Sequence, residues 1–426
     1  MDKQCYVNLD ETLYRTQLPN GLTVMVVPKP GFSRKMAYFV ADYGAVHTEF
    51  TLEGKPYRVP AGVAHYLEHK LFDLPQRDVA GEFAQMGAVV NAFTSYDVTA
   101  YYFSCTENFA PCLKLLLEFV STPYFTEESV EKERGIIDQE IGMNADDPNT
   151  QVFERLMQAM FRHPIREPIL GTSQSIRQIT PEILGICHRA FYNPANMILC
   201  VVGDVKPQEV ERLALQVLGE EKRPMGEKAP FPETVLQVLQ PEVTAQMDIA
   251  MPTFNLGFQC EPLGKGWEAI RQEIIGDLAA EVLFGEASAL YLKLYGEGII
   301  DSSFGGGFET IDGCALLTCG GDSDDPQAVR AAVLAEAARI CDEGIDEARF
   351  QRVKRSAIGR RIRDLDSFDS TCFRLCAYQM TDFDYFRFPE IYDAITTGDV
   401  QAFLARVIRP ERCSLSVIEK LKEETL

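Results

Sequence analysis

The sequence predicts an α+β protein made of two copies of one unit, each a largely antiparallel sheet packed with helices. Three observations carry this. At 426 residues the chain is long enough for two to three domains of the usual size, about 100–200 residues each. The stretch Gly219 to Pro241, GEEKRPMGEKAPFPETVLQVLQP, is rich in Pro, Gly and charge and divides the chain almost in its middle. The two halves also repeat one succession of strand-like and helix-like segments at an offset of about 215 residues. The predicted domains are therefore 1–220 and 240–426.

In the first half, VTAYYFSC (98–105) reads as a strand. The helix-like PCLKLLLEFV (111–120) follows, then a long charged helix from about Thr126. In the second half, CALLTCGG (314–321) precedes PQAVRAAVLAEAARICDEG (326–344) and a further helix from about Asp346. One duplication explains the echo better than a solenoid array does. The glycine runs Gly305-Gly306-Gly307 and Gly320-Gly321 lack the Lys-Ser/Thr of a phosphate loop and read as turns and strand ends.

Composition narrows the function. Hydrophobic residues are 46% and charged residues 24%, an ordinary globular mix. A chain of this size buries about three quarters of its unfolded surface, so a metal found in it serves chemistry rather than folding. Lys plus Arg number 41 against 63 Asp plus Glu, a net charge of −22, which repels nucleic-acid phosphates. No basic stripe with interleaved aromatics offsets that. The N-terminal segment lacks the apolar core of a signal peptide, and KLLLEFV (114–120) and MILCVVG (197–203) are too short to span a bilayer. Twelve cysteines without a Cys-x-x-Cys pair read as reduced thiols of a cytoplasmic protein. Cys372 and Cys376, one helical turn apart, read as buried core thiols. The expectation is no membrane and no nucleic acid.

Only five histidines occur, and two of them stand in AGVAHYLEHKLF as His65 and His69, with Glu68 between. Chance places such a pattern in fewer than about one chain in a hundred of this composition. On a helix, positions 65, 68, 69 and 72 share one face, while Val63, Leu67 and Leu71 form an apolar stripe. Imidazoles at i and i+4 can ligate one ion, and zinc suits mixed nitrogen and oxygen donors. Glu68 lies beside both ligands and is placed to take a proton from a water that the metal activates. The competing reading is a surface helix with two solvated histidines and an ion pair to Lys70. His47, His163, His188 and the lone Trp267 give no signal.

A catalytic zinc needs a third protein ligand. Candidates lie in FTEESVEKERGIIDQEIGMNADD (125–147), where Thr126 is a plausible N-cap and Glu127 and Glu128 suit the first turn. Glu133 and Glu140, seven residues apart, face the same way about 10.5 Å apart along the axis. One can ligate while the other supports it, and spacing does not choose between them.

Together these residues resemble the inverzincin metallopeptidases, whose ligand order reverses that of His-Glu-x-x-His enzymes. More narrowly the chain resembles the insulinase and pitrilysin family in its half-length bacterial and mitochondrial processing-peptidase branch. The likeness runs through LPNGLTVMVVPKP (18–30), GVAHYLEHKLF, GAVVNAFTSYDVTAYYFS (87–104), SVEKERGIIDQEI and FYNPANMILCVVGDV (191–205). It implies a two-domain clamshell half. It also implies His65, His69 and Glu140 as Zn2+ ligands, Glu68 as catalytic base and Glu133 as a supporting residue beside it. Asn91, Ala92, Phe93 and Thr94 would be the edge strand that pairs with an extended peptide substrate.

Aligning KLF (70–72) with VLF (282–284) puts Asp277, Ala280 and Glu281 opposite His65, Glu68 and His69, so the second domain lacks the metal site. Many family members carry an Arg and a Tyr there that contact the substrate carbonyl region. In EASALYLKLYGEGIIDSSFGG (286–306), Ala289 stands at the Arg position and Asp301 or Ser302 near the Tyr. Tyr291, Lys293 and Tyr295 are close by. This departure predicts a heterodimer with a related subunit lacking the zinc motif, a homodimer being the alternative. The expected function is zinc-dependent endopeptidase or oligopeptidase action on peptides or unfolded segments. Its rivals are a dedicated precursor- or leader-peptide processing peptidase and a non-catalytic assembly subunit.

Overall fold

The computed structural model describes residues 1–75 and 77–421. The chain forms two compact units: Met1–Ile141 with Pro168–Pro230 and Arg361–Phe386, and Gly142–Glu167 with Phe231–Arg360 and the residues from Arg387 onward.

The first unit holds a seven-stranded sheet of β1 (Asp2–Tyr6), β2 (Glu11–Gln17), β3 (Thr23–Pro28), β4 (Lys35–Ala41), β5 (Val89–Thr94), β6 (Thr99–Cys105) and β7 (Met197–Gly203). Their order is β1-β2-β3-β7-β4-β6-β5. Only the central pair β3 and β7 is parallel, and among the described residues β5 forms an edge that pairs with β6 alone. The run MILCVVG makes β7, buried along its whole length, because a central strand covered on both faces needs no polar alternation. One face packs into a core with α1 (Val63–Leu71), α2 (Phe109–Ser121) and α3 (Glu127–Asp146).

The second unit repeats this core. Its strands are β8 (Glu242–Met247), β9 (Thr253–Cys260), β10 (Gly305–Ile311), β11 (Cys314–Asp322) and β12 (Cys413–Lys420), in the order β8-β12-β9-β11-β10. β8 and β12 are parallel and the other pairs antiparallel. Strand for strand, this is the order and orientation of β3-β7-β4-β6-β5. The helices α4 (Pro148–Met160), α5 (Trp267–Phe284), α6 (Pro326–Glu343), α7 (Glu347–Arg363) and α8 (Phe368–Met380) complete the elements used below. α4 packs on β12 and β9, whereas α8 packs on β7 and β4. Each half of the sequence thus lends a 13-residue helix to the sheet of the other. Both helices start on a side-chain cap, from Asp147 and Ser367, so their beginnings are local even though their packing is not. Cys372 and Cys376 are buried on α8, as thiols of the core.

Gly276 on α5 allows the close approach of β10: a Cβ there would meet the Phe308 ring at 2.4 Å. Alanine ordinarily favours a helix interior by about 1 kcal/mol over glycine. Here Gly276→Ala is expected to destabilise by about 1–3 kcal/mol through overpacking, seen as a lower urea midpoint. Among the described residues no helix is long and apolar enough to cross a membrane.

Candidate metal centre

Helix α1 is set at its start by two contacts with residues 170–175. Gly62 precedes it at φ +89°, and a Cβ there would meet the Leu170 carbonyl oxygen at 2.4 Å, so glycine alone suits this start. Ser175 Oγ donates to the Ala61 carbonyl at 2.8 Å. Every residue of α1 except His69 is buried, where a surface helix would keep a solvated face. Burying Leu67 and Leu71 is worth about 1.5–3 kcal/mol each. Lys70 is buried too. Its ammonium pairs with Asp73 and donates to the Ser129 carbonyl at 3.3 Å. Tyr66 Oη donates to the Val130 carbonyl. Those two carbonyls belong to the start of α3, so α1 and α3 are fastened together beside the histidines.

α3 buries only Val130 and Ile137, seven residues apart. Glu133 and Glu140 follow each by three positions and so stand on one neighbouring face. Glu140 Oε2 lies 3.6 Å from Nε2 of His65 and 3.6 Å from Nε2 of His69. The donor atoms of all three lie within 4.8 Å of one another, the one such group among the described residues. Glu133 Oε1 lies 2.9 Å from His69 Nδ1, where it accepts that N–H and leaves Nε2 free as a ligand. The two glutamates that spacing left equivalent thus take different places. A tetrahedral ion with bonds of about 2.0–2.1 Å spaces its ligands about 3.4 Å apart, so the 3.6 Å pairs suit zinc closely.

Electrostatics favours a cation here. Burial, with His69 adding to it, holds His65 at about 3, so its ring is neutral and has a lone pair to offer a metal. Burial opposes charge on His69 as well. The hydrogen bond to Glu133 and the charges of Glu68, Glu133 and Glu140 outweigh that and raise its pKa. Among the described residues His65 Nδ1, which is buried, has no hydrogen-bond partner.

Glu68 stands beside this cluster without joining it. Burial raises its carboxyl above the usual range, against the lowering hydrogen bond from Thr94 and the nearby His69. Thr94 Oγ1 donates to Glu68 Oε2 at 2.7 Å, from the end of edge strand β5. Asn91 is exposed there, and Ala92, Phe93 and Thr94 are half-buried. Sequence reasoning missed this bond and the burial of Lys70. Only the lack of a wide polar face around YLEHKLF could have signalled the latter.

In the second unit, Glu281 carries an ion pair with Arg360 of α7. Arg360 lies 220 residues beyond Glu140, as α7 begins 220 residues beyond α3. Where the first unit gathers two imidazoles and a carboxylate, the second joins a carboxylate to a guanidinium.

Duplicated α+β units with this cluster in the first of them define a metallopeptidase scaffold of the inverted-motif class. Residues 58–173 match the model for Insulinase (Peptidase family M16), and residues 178–357 match the Peptidase M16 inactive domain. A Bacillus subtilis protein named as the uncharacterized zinc protease YmfH is 34% identical over 418 residues, covering 96% of this chain and 97% of that one. A crystal structure described as an M16-like peptidase from Alicyclobacillus acidocaldarius superposes with a TM-score of 0.94 at 30% identity, over 98% of this chain and 100% of that one. A Helicobacter pylori protease shares the fold, with a TM-score of 0.81 at 20% identity over 96% and 99% of the two chains. The chain belongs to the insulinase family of peptidases, family M16.

Proposed function

We propose that the chain is a zinc-dependent peptidase acting on peptides or unfolded segments, with His65, His69 and Glu140 holding the ion. The observation that carries this is the approach of Glu140 Oε2 to both histidine Nε2 atoms, 3.6 Å each, beside a carboxylate outside the ligand set. Zinc bound there supplies Lewis acidity, polarising a carbonyl and lowering the pKa of water to about 7. Glu68 takes the proton of the attacking water and returns it to the leaving amine. Glu133 orients His69. The free edge of β5, Asn91 to Thr94, holds the peptide in extended form through backbone bonds.

Two finer readings belong with this. Ala289 at the position of the family's arginine supports pairing with a related subunit that supplies it, and the thiol-rich composition supports a cytoplasmic setting. Precursor or leader peptides are one substrate class such a site would accept.

The test is hydrolysis of a fluorogenic peptide library by the purified chain, alone and with related subunits from its own genome. Activity should track zinc content, vanish with a chelator and return with added zinc. A zinc-loaded preparation that cleaves nothing in either setting would overturn the peptidase reading.

A further inference from the structure

Resting on that reading, we propose that Thr94 is a positioning residue for the base, joining the strand that registers the peptide to the carboxylate that moves the proton. The alternation of β5 sorts its side chains. Val90 and Ala92 pack toward the core that contains α1, and Thr94 shares their parity and reaches Glu68. Phe93 points to the other face, its ring 5.5 Å from that of Phe373 on α8. The backbone of β5 is paired on one side with β6, in the register Ala92 to Tyr101 and Thr94 to Thr99, and no strand among the described residues pairs with the other. A peptide added there lies about 4.8 Å from β5, and its register is set by the same backbone that carries the Thr94 hydroxyl.

Glu68 needs such a fixture. Its side chain has three rotatable bonds, and burial gives it few partners: Thr94 is its one hydrogen-bond partner among the described residues. With Oε2 held, Oε1 is the oxygen left to receive a proton. Helix α1 sets where Glu68 begins, and Thr94 sets where its carboxylate ends. Placement errors of this kind act on the chemical step rather than on binding.

The experiment compares Thr94→Val, which keeps the shape and strand propensity but removes the donor, with Thr94→Ser, which keeps the donor. Steady-state hydrolysis is measured alongside zinc content and alongside peptide affinity in a Glu68→Gln background. For Thr94→Val, kcat should fall about tenfold to a hundredfold, as expected on losing a hydrogen bond to a charged group. KM, peptide affinity and zinc content should stay within about twofold, because none of them reports the base. Thr94→Ser should recover most of kcat. An undiminished kcat in Thr94→Val overturns the proposal, and so does a raised KM with kcat intact, which would make Thr94 a substrate contact only. A zinc-loaded wild-type chain inactive on every peptide, both alone and with related subunits, overturns the peptidase reading itself and this role with it.

Discussion

Replacing Glu68 by Gln is expected to lower peptide hydrolysis by about 10²–10⁴-fold, the usual worth of a positioned general base, with zinc content unchanged. The two halves of that expectation come from different atoms. Glu68 is absent from the converging donor group of His65, His69 and Glu140, so its loss removes no ligand. A glutamine carbonyl can still accept the Thr94 hydroxyl that now meets Oε2 at 2.7 Å, so the side chain should keep its place. What the amide cannot do is take up a proton. Stability should not fall either. Without the ion, burial raises the Glu68 pKa in the folded state, so above that pKa its charge opposes folding of the metal-free chain, and a neutral amide relieves this. An inactive, fully metallated and normally stable variant would therefore isolate the proton-transfer step. Activity near that of the wild type, measured as kcat with metal content in the same preparation, would remove Glu68 from the mechanism.

How much of this was readable beforehand depends on the distance over which each feature is determined. The histidine helix was legible because its residues lie within one turn of each other. The duplication was legible because each half repeats local patterns, and the matching strand orders of the two sheets give that echo its structural form. The parting of Glu133 from Glu140 was not legible. Both stand on one face of α3, and which of them meets the histidines depends on how α3 crosses α1. That crossing is held by Tyr66 and Lys70 reaching Val130 and Ser129, about sixty residues further along. The exchange of α4 and α8 between sheets is a pairing between the chain's two halves, with no trace in either helix's own pattern. Thr94 was placed on the edge strand by resemblance, but its bond to Glu68 depends on strand and helix meeting in three dimensions. The residues that make the site were local. The contacts that aim them were not.

Replacing Glu140 by Ala should abolish stoichiometric zinc binding and hydrolysis together while leaving the metal-free fold intact. Of the three donors it is the cleanest to remove. His65 is 7% exposed, so truncating it would leave a hole in the packed interior of α1 and confound loss of metal with loss of fold. The Glu140 side chain is 39% exposed, and α3 is anchored by Val130 and Ile137 rather than by the glutamate. Removing an outer-shell partner of a ligand costs about 10–100-fold in metal affinity, and removing a ligand itself should cost more. Thermal unfolding gives a second readout. An ion present at a hundred times its Kd stabilises the state that binds it by about 2.7 kcal/mol, so added zinc should raise the wild-type Tm and leave that of Glu140→Ala unmoved. With chelator present the two proteins should melt together, because the substitution acts only through the ion. If the variant instead kept a zinc-dependent Tm shift of the same size, Glu140 would not be a ligand, and Glu133, 2.9 Å from the other nitrogen of His69, would be the next carboxylate to test.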